Sequence, residues 1–336
     1  MPVEIEEEDY SPSDLESPPA THGKTVTLKV PISLSGSRLD QVLAEMLPEY
    51  SRSRLAALAK SGHVMIDAKL ATPKTKLFGG EEIKAVLVPR EDEMAFLPEN
   101  ISLNVLHEDD AVIVIDKPAG LVVHPGAGNW SGTALNALLF RNPSVINLPR
   151  AGIVHRLDKE TSGVMVAAKT EQAQLSLVRQ MQARTVKRIY VALVRGMVPQ
   201  EGTVSKPIGR HPHHRTRMAV VGEDDGQGGK SAVTHYRMLR RFAHHSLIEC
   251  RLETGRTHQI RVHMQSIGFP IEGDTVYSPG GAGVDAQARD VFRKFGRQAL
   301  HARELTFDHP VDGGSVSFEA EIPADMRELI DFVAAL

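Results

Sequence analysis

From Ser37 the chain reads as short periodic blocks. In SRLDQVLAEML, Leu39, Val42, Leu43, Met46 and Leu47 recur at helical spacing, and SRSRLAALAKSG repeats the pattern between Ser51 and Gly62. HVMIDAKL and EEIKAVLV then alternate as strands do, around the loop ATPKTKLFGG. Two short helices and a strand pair predict a compact α+β module over residues 37–96, after which PREDEMAFLPEN reads as a linker.

A larger domain is expected over 101–336. AVIVIDKP contains the continuous apolar run Val112 to Ile115, which fits a strand buried on both faces. GTALNALLF reads as a helix, GIVHRL and GVMVAAK as strands, and EQAQLSLVRQMQA as a helix capped by Thr170 with Ala173, Leu177 and Met181 on one stripe. VKRIYVALVRG alternates, so Tyr190 is expected opposite the stripe of Ile189, Val191 and Leu193. SLIECRLETG is a further strand. It runs into THQIRVHMQSIG, a helix that Thr257 could cap, with Ile260, Met264 and Ile267 facing a core and Gly268 at its end. SVSFEAEIP and MRELIDFVAAL close the chain as strand and helix. This mixture lacks a strict βαβ rhythm and argues for an α+β fold over a dinucleotide-binding one.

Composition adds the surroundings. No apolar run approaches the roughly 20 residues of a membrane span, and the start of the chain lacks the basic and apolar regions of a secretory signal, so a cytoplasmic protein is expected. Residues 1–24 carry seven acids and one lysine and read as a disordered tail. Cys250 is the lone cysteine, which excludes an intrachain disulfide. Between Arg150 and Arg217 stand thirteen Lys and Arg against four Asp and Glu, which points to a polyanionic partner.

The stretch GIVHRLDKETSG, from Gly152 to Gly163, concentrates His155, Arg156, Asp158, Lys159 and Glu160 at the end of an apolar segment. On spacing alone Asp158 is a turn residue bonding its own backbone. HRLDKETSG, RIYVAL and LETGRTHQIRVHM nevertheless follow one another in order, with DKPAGLVVHPG, GRHP, AVTHYR and RQALHA around them. Together these segments resemble the RluA/RluD family of RNA pseudouridine synthases from about residue 25 to near the C-terminus, and residues 37–96 resemble the S4 RNA-binding domain.

The resemblance implies a catalytic domain with a central mixed, mainly antiparallel sheet flanked by helices. It also implies isomerisation of uridine to pseudouridine in large-subunit ribosomal RNA or a pre-ribosomal particle, by a monomer that needs no cofactor. Asp158 matches the catalytic aspartate, Tyr190 the active-site tyrosine and Arg256 the arginine that pairs with the aspartate. Arg156 matches the residue that replaces the flipped uridine in the helix stack. His155, Lys117, Arg210 and His258 are further substrate-binding candidates in the matching segments, and Arg38, Arg52, Arg54 and Lys60 in the N-terminal module. The chemistry is coherent with these assignments. The base must leave its stack to be turned, and an arginine can fill the gap. A guanidinium beside a carboxylate keeps it charged for work as nucleophile or base. Whether it attacks C1′ or C6, or takes the C2′ proton, the residues leave open.

Two other classes compete. A hydrolytic N-ribosidase would need a second carboxylate, and no convincing one stands out: Asp109 and Asp110 sit before the buried strand, where a strand-start role is the blander reading. A non-catalytic RNA-binding ribosome-assembly factor would need only the basic surface. RHPHHRTR carries His211, His213 and His214 without cysteine or carboxylate company, so RNA contact is expected there and no metal. The insertion GEDDGQGG departs from the family pattern.

Overall fold

The computed structural model describes residues 24–88, 93–126, 128–214, 217–222, 228–278 and 286–336. The acidic tail expected over 1–24 lies almost wholly outside them, as do the start of the expected linker and most of the 222–229 insertion. The chain divides into two compact units, one ending at Glu93 and one running from Met94 to Leu336.

In the first unit β1 (Lys24–Lys29), α1 (Leu39–Met46), α2 (Arg52–Lys60), β2 (Val64–Ile66), β3 (Lys69–Leu70) and β4 (Glu82–Leu87) follow in order. The strands form an antiparallel sheet in the order β1-β4-β2-β3. Leu39, Val42 and Leu43 of α1 and Leu55 of α2 are buried, as the helical spacing requires, and pack with Val64 and Ile83 of the sheet. Burying each such side chain contributes about 1.5–3 kcal/mol. Ser51 caps α2 by accepting from the Arg54 backbone N–H at 3.4 Å. Strand β1 precedes the expected start of the module at residue 37.

The second unit is built on a nine-stranded sheet. Its elements are β5 (Asn104–Glu108), β6 (Val112–Lys117), α3 (Ala134–Arg141), β7 (Ser162–Ala168), α4 (Glu171–Ala183), β8 (Lys187–Arg195) and β9 (Glu201–Ser205). They continue with the hairpin β10 (Ile208–Arg210) and β11 (Met218–Val220), then β12 (Val233–Arg241), β13 (His245–Leu252), α5 (Gln259–Ser266), α6 (Ala286–Phe295), β14 (Leu300–Asp308), β15 (Ser315–Glu319) and α7 (Ala324–Ala335). The strand order is β5-β6-β7-β14-β8-β13-β12-β9, with β15 also on β14. The β7/β14 pair is parallel and the other neighbours are antiparallel, which is the mixed, mainly antiparallel sheet expected.

Both faces of this sheet are covered. Along β6 and β7, Ile113, Ile115, Met165 and Ala167 enter one core with Leu135 and Leu138 of α3. Val112, Val114, Val164 and Val166 enter another with Ala173 and Leu177 of α4. Two covered faces explain why β6 reads as an unbroken apolar run. The same coverage shows in β8, where Tyr190, Val191, Ala192, Leu193 and Val194 are all buried: Tyr190 alternates with Val191 and Leu193, as the pattern predicts, and its own face is buried as well. Among the described residues no helix is long and apolar enough to cross a membrane.

Register aligns one residue from each of seven strands. Lys117 pairs with Gly163, Gly163 with Ala302, Ala302 with Tyr190, Tyr190 with Cys250, Cys250 with Tyr236 and Tyr236 with Gly202. Gly163 has φ +116°, and a Cβ placed there would lie 2.1 Å from the carbonyl oxygen of Ala302. Only glycine lets the parallel seam close. We expect Gly163→Ala to lower the unfolding free energy by about 3 kcal/mol or more. Gly313 has a similar left-handed φ of +72° but open space around it, and Gly313→Ala should cost about 1 kcal/mol. Urea unfolding of the two variants checks the contrast.

Candidate active site

The register row brings the start of β7 beside Tyr190, and the segment leading into β7 carries Asp158. That segment is not the strand expected of GIVHRL: only Ile153 bridges, to Ala167. The rung that a strand would supply two residues later is made by a side chain, because the Val166 backbone N–H donates to His155 Nε2 at 3.0 Å. The chain is thereby free to turn. It forms a tight bend in which Thr161 N–H donates to Asp158 O at 3.0 Å.

This bend is fastened from below. Lys117 is fully buried, and its ammonium donates to the carbonyls of Pro118 (2.7 Å), Leu121 (2.9 Å) and Lys159 (3.0 Å). Arg297 donates to Glu160 O at 3.2 Å, and Gln298 to Thr161 Oγ1 at 3.1 Å. Burial lowers the Lys117 pKa to about 8 against the opposing charges of Glu160 and Asp158. With three carbonyls on its ammonium and no exposure, Lys117 is corrected from a substrate-binding candidate to a support of the Asp158 bend.

Arg261 reaches Asp158. Its Nη1 donates to Asp158 Oδ2 at 3.0 Å, while Nε and Nη2 hold Asp274 at 2.7 and 3.0 Å. Burial would lower the Arg261 pKa, but the bonds and charges of Asp274 and Asp158 override it and raise the value. Its guanidinium also lies 5.0 Å from the Tyr277 ring centroid. The expected partner, Arg256, is elsewhere: its Nε donates to Ser231 O at 3.1 Å. The reason is where the helix begins. Thr257 does not cap α5; His258 occupies that position, and the Gln259 side chain accepts from Arg256 N–H at 3.0 Å and from Thr254 Oγ1 at 2.7 Å. Arg256 is therefore held in the turn, and Arg261, in the first turn of the helix, is the guanidinium on the carboxylate.

His258 stands on the other side of Asp158, with Nε2 4.0 Å from Oδ1 and Nδ1 2.8 Å from the Tyr277 hydroxyl. A cavity of about 760 Å³ opens over these groups, lined by Asp158, Tyr190, Arg156, Arg256, His258 and Arg261 among others. Such a volume admits a nucleoside with its neighbouring phosphates. Arg150, Arg184 and Arg188 also line it, and were not singled out from the sequence. Arg156 is exposed, one residue before the buried Leu157 that anchors the segment. Burial pushes the Tyr190 pKa up, with Arg188 opposing and Asp158 reinforcing, so its hydroxyl stays protonated.

The remaining expectations separate. Arg210 is exposed on β10 and is not among the cavity residues. In the first unit Arg38 and Arg52 share the buried carboxylate of Asp40 at 3.0 and 2.7 Å, so their charge is partly committed to the fold. Arg54 lies over the Tyr50 ring, and Lys60 is exposed at the end of α2. Asp109 caps the entry to β6, accepting from Ala111 and Val112 N–H at 2.7 and 2.8 Å, and binds His107 and His309. Among the described residues no group of histidine, cysteine and carboxylate side chains is disposed to hold a metal.

Residues 111–266 match the family described as RNA pseudouridylate synthase, and residues 37–83 match the S4 domain. A relative from Neisseria meningitidis serogroup A, ribosomal large subunit pseudouridine synthase D, is 53% identical over 96% of this chain and 86% of its own length. Proteins of the same name from Nitrosomonas europaea and Pseudomonas aeruginosa are 52% and 47% identical over 93% and 91% of this chain, covering 89% and 94% of their own lengths. Among solved structures, human RNA pseudouridylate synthase domain containing 4 superposes with a TM-score of 0.54 at 26% identity, over 68% of this chain and 92% of that one.

Desolvation gives the acid side of stability a clear sign. It lowers the His155 pKa from 6.5 to about 3, with Arg188 and His124 adding to the effect. Between those values the unfolded chain binds a proton that the folded chain does not, so stability falls as the pH drops below about 6.5. We expect His155→Gln, whose Oε1 can still accept from Val166 N–H, to flatten that slope by up to about 1.4 kcal/mol per pH unit. Urea titrations between pH 6.5 and 4.5 measure it.

Proposed function

This chain belongs to the family of RNA pseudouridine synthases, which isomerise uridine to pseudouridine, and we propose that its substrate is a uridine of large-subunit ribosomal RNA turned over at Asp158. The observation that carries the assignment of the site is the Asp158 carboxylate, fixed through Oδ2 by Arg261 with Oδ1 left facing a nucleoside-sized cavity. The ribosomal substrate is read from the relatives named ribosomal large subunit pseudouridine synthase D, which match 91–96% of this chain, and the S4 unit supplies a second RNA-binding body.

Isomerisation breaks the C1′–N1 bond, turns the base and forms C1′–C5, with the C5 proton lost at the end. The base has to be extruded first, at a cost of a few kcal/mol. Arg156, exposed at the cavity edge two residues from Asp158, is placed to enter the vacated stack. Asp158 must be ionised to react, and the guanidinium at 3.0 Å favours that form. Arg261 cannot itself serve as an acid, being doubly paired and held charged. Tyr190, in the cavity wall, offers its ring to the uracil and a protonated hydroxyl near the turning base. Arg150, Arg184, Arg188 and Arg256 place positive charge where the flanking phosphates would run.

RNA labelled with tritium at uracil C5 tests the reading. The protein should release tritium without free base, Asp158→Asn should abolish release, and free uracil would instead make it a hydrolase. Arg261→Lys, which cannot bridge Asp158 and Asp274 with a planar fork, should lower kcat by about a hundredfold. Arg256→Ala should act mainly on KM for RNA. For Arg156→Ala we expect a loss at least about tenfold greater on structured RNA than on unfolded RNA, because only the former must be unstacked; equal losses would remove Arg156 from the stack.

A further inference from the structure

Two groups flank the Asp158 carboxylate, and one side chain supports both of them. Arg261 holds Oδ2, and its guanidinium lies over the ring of Tyr277. His258 faces Oδ1, and its ring meets Tyr277 edge-on with centroids 5.6 Å apart. The Tyr277 hydroxyl lies 2.8 Å from His258 Nδ1 and 2.9 Å from the backbone nitrogen of Met218.

The direction of these bonds follows from which atoms own protons. Met218 N–H can only donate, so the Tyr277 oxygen accepts it. The hydroxyl proton then needs an acceptor, and among the described residues His258 Nδ1 is the one within reach. An imidazole that accepts at Nδ1 carries its proton at Nε2 when neutral. Burial lowers the His258 pKa despite the opposing charge of Asp158, so the neutral ring is the form to consider. Its Nε2–H then points to the space in front of Asp158 Oδ1, at 4.0 Å too far to be used up on the carboxylate.

The backbone agrees that His258 is placed deliberately. It sits at the start of α5 with φ +56° and ψ +23°, a left-handed conformation that costs a residue with a Cβ of order 1–3 kcal/mol and persists only where the surroundings impose it.

We propose that Tyr277 is a positioning residue of this enzyme: its hydroxyl, oriented by Met218 N–H, fixes His258 as the Nε2–H tautomer, so that one neutral donor faces the uracil beside the open oxygen of Asp158. The ligand of that donor is a carbonyl oxygen of the detached base, which bears negative charge once C1′–N1 has broken and must be held while it turns. Met218 belongs to β11, so the same bond ties the β10/β11 hairpin to the reaction centre. The inference rests on Asp158 being the catalytic carboxylate.

Tyr277→Phe keeps the ring under Arg261 and removes only the hydroxyl. It should lower kcat for tritium release roughly tenfold while KM for RNA changes less than about twofold. His258→Asn retains a residue tolerant of the left-handed backbone and should lose a similar factor. The double variant should be no slower than His258→Asn alone, because Tyr277 acts through His258. Multiplying losses, or a Tyr277→Phe rate within about twofold of wild type, would overturn the inference. NMR of the isotopically labelled histidines of the wild-type protein reads the tautomer directly. A proton on Nε2 is expected, and a proton on Nδ1 would overturn the inference whatever the variants do. A wild-type protein that releases no tritium would instead defeat the isomerase reading itself.

Discussion

The guanidinium of Arg261 lies between two carboxylates, Asp274 at 2.7 and 3.0 Å and Asp158 at 3.0 Å, in a setting where Arg261 and Asp274 are almost wholly buried. Removing one member of such a buried group costs about 3–5 kcal/mol, because the charges left behind lose their solvation. The constraint works in both directions. Asp274 neutralises and orients the guanidinium, accepting from Val276 and Tyr277 N–H as well, and the oriented guanidinium presents one remaining N–H to Asp158. The Asp158 carboxylate is thus held by a chain of charge running into the core, while its second oxygen makes no such bond to Arg261.

The bend that carries Asp158 has no regular secondary structure of its own, and its rigidity is borrowed. Lys117 and Gly120 N–H both bind the carbonyl of Lys159, Arg297 binds that of Glu160, and Gln298 binds the Thr161 hydroxyl. Arg297 is itself locked to Asp325 of α7 at 2.7 and 2.9 Å. A cavity-lining loop can therefore be irregular without being loose, since its backbone oxygens are occupied by groups anchored in β6, in the residues before β14 and in the C-terminal helix.

The sequence made the periodic elements legible and hid the ones whose signals are tertiary. Helices α1, α2, α4 and α7 and strands β6 to β8 follow from spacing, because each buries a regular set of apolar residues. GIVHRL has the composition of a strand, but His155 takes the place of a backbone rung there, a substitution no periodicity reveals. At the site, Asp158, Tyr190 and Arg156 were found through family resemblance and lie together on the cavity. Arg256 was named in place of Arg261 because both stand in GRTHQIR and only the start of α5 decides between them. What separates them is tertiary: Asp274 is buried and requires a cation, and Arg261, next to the core residue Ile260, is the one that reaches it. Lys117 misled for the opposite reason, since a lysine within a matching segment reads as a substrate ligand until its burial is known.

The parallel seam between β7 and β14 joins residues 139 apart, with Ser162 Oγ bonded to His301 Nδ1 across it at 2.9 Å. Contacts so distant in the chain form late and slowly, after loop closure has been overcome. On a translating ribosome the segment around Asp158 emerges long before β14 and α7, and until they arrive neither Arg297 nor the Ala302 rung beside Gly163 is present to shape it. The bend around Asp158 therefore gains its full set of supports only when the last stretch of the protein, from Arg297 through α7, has joined the sheet.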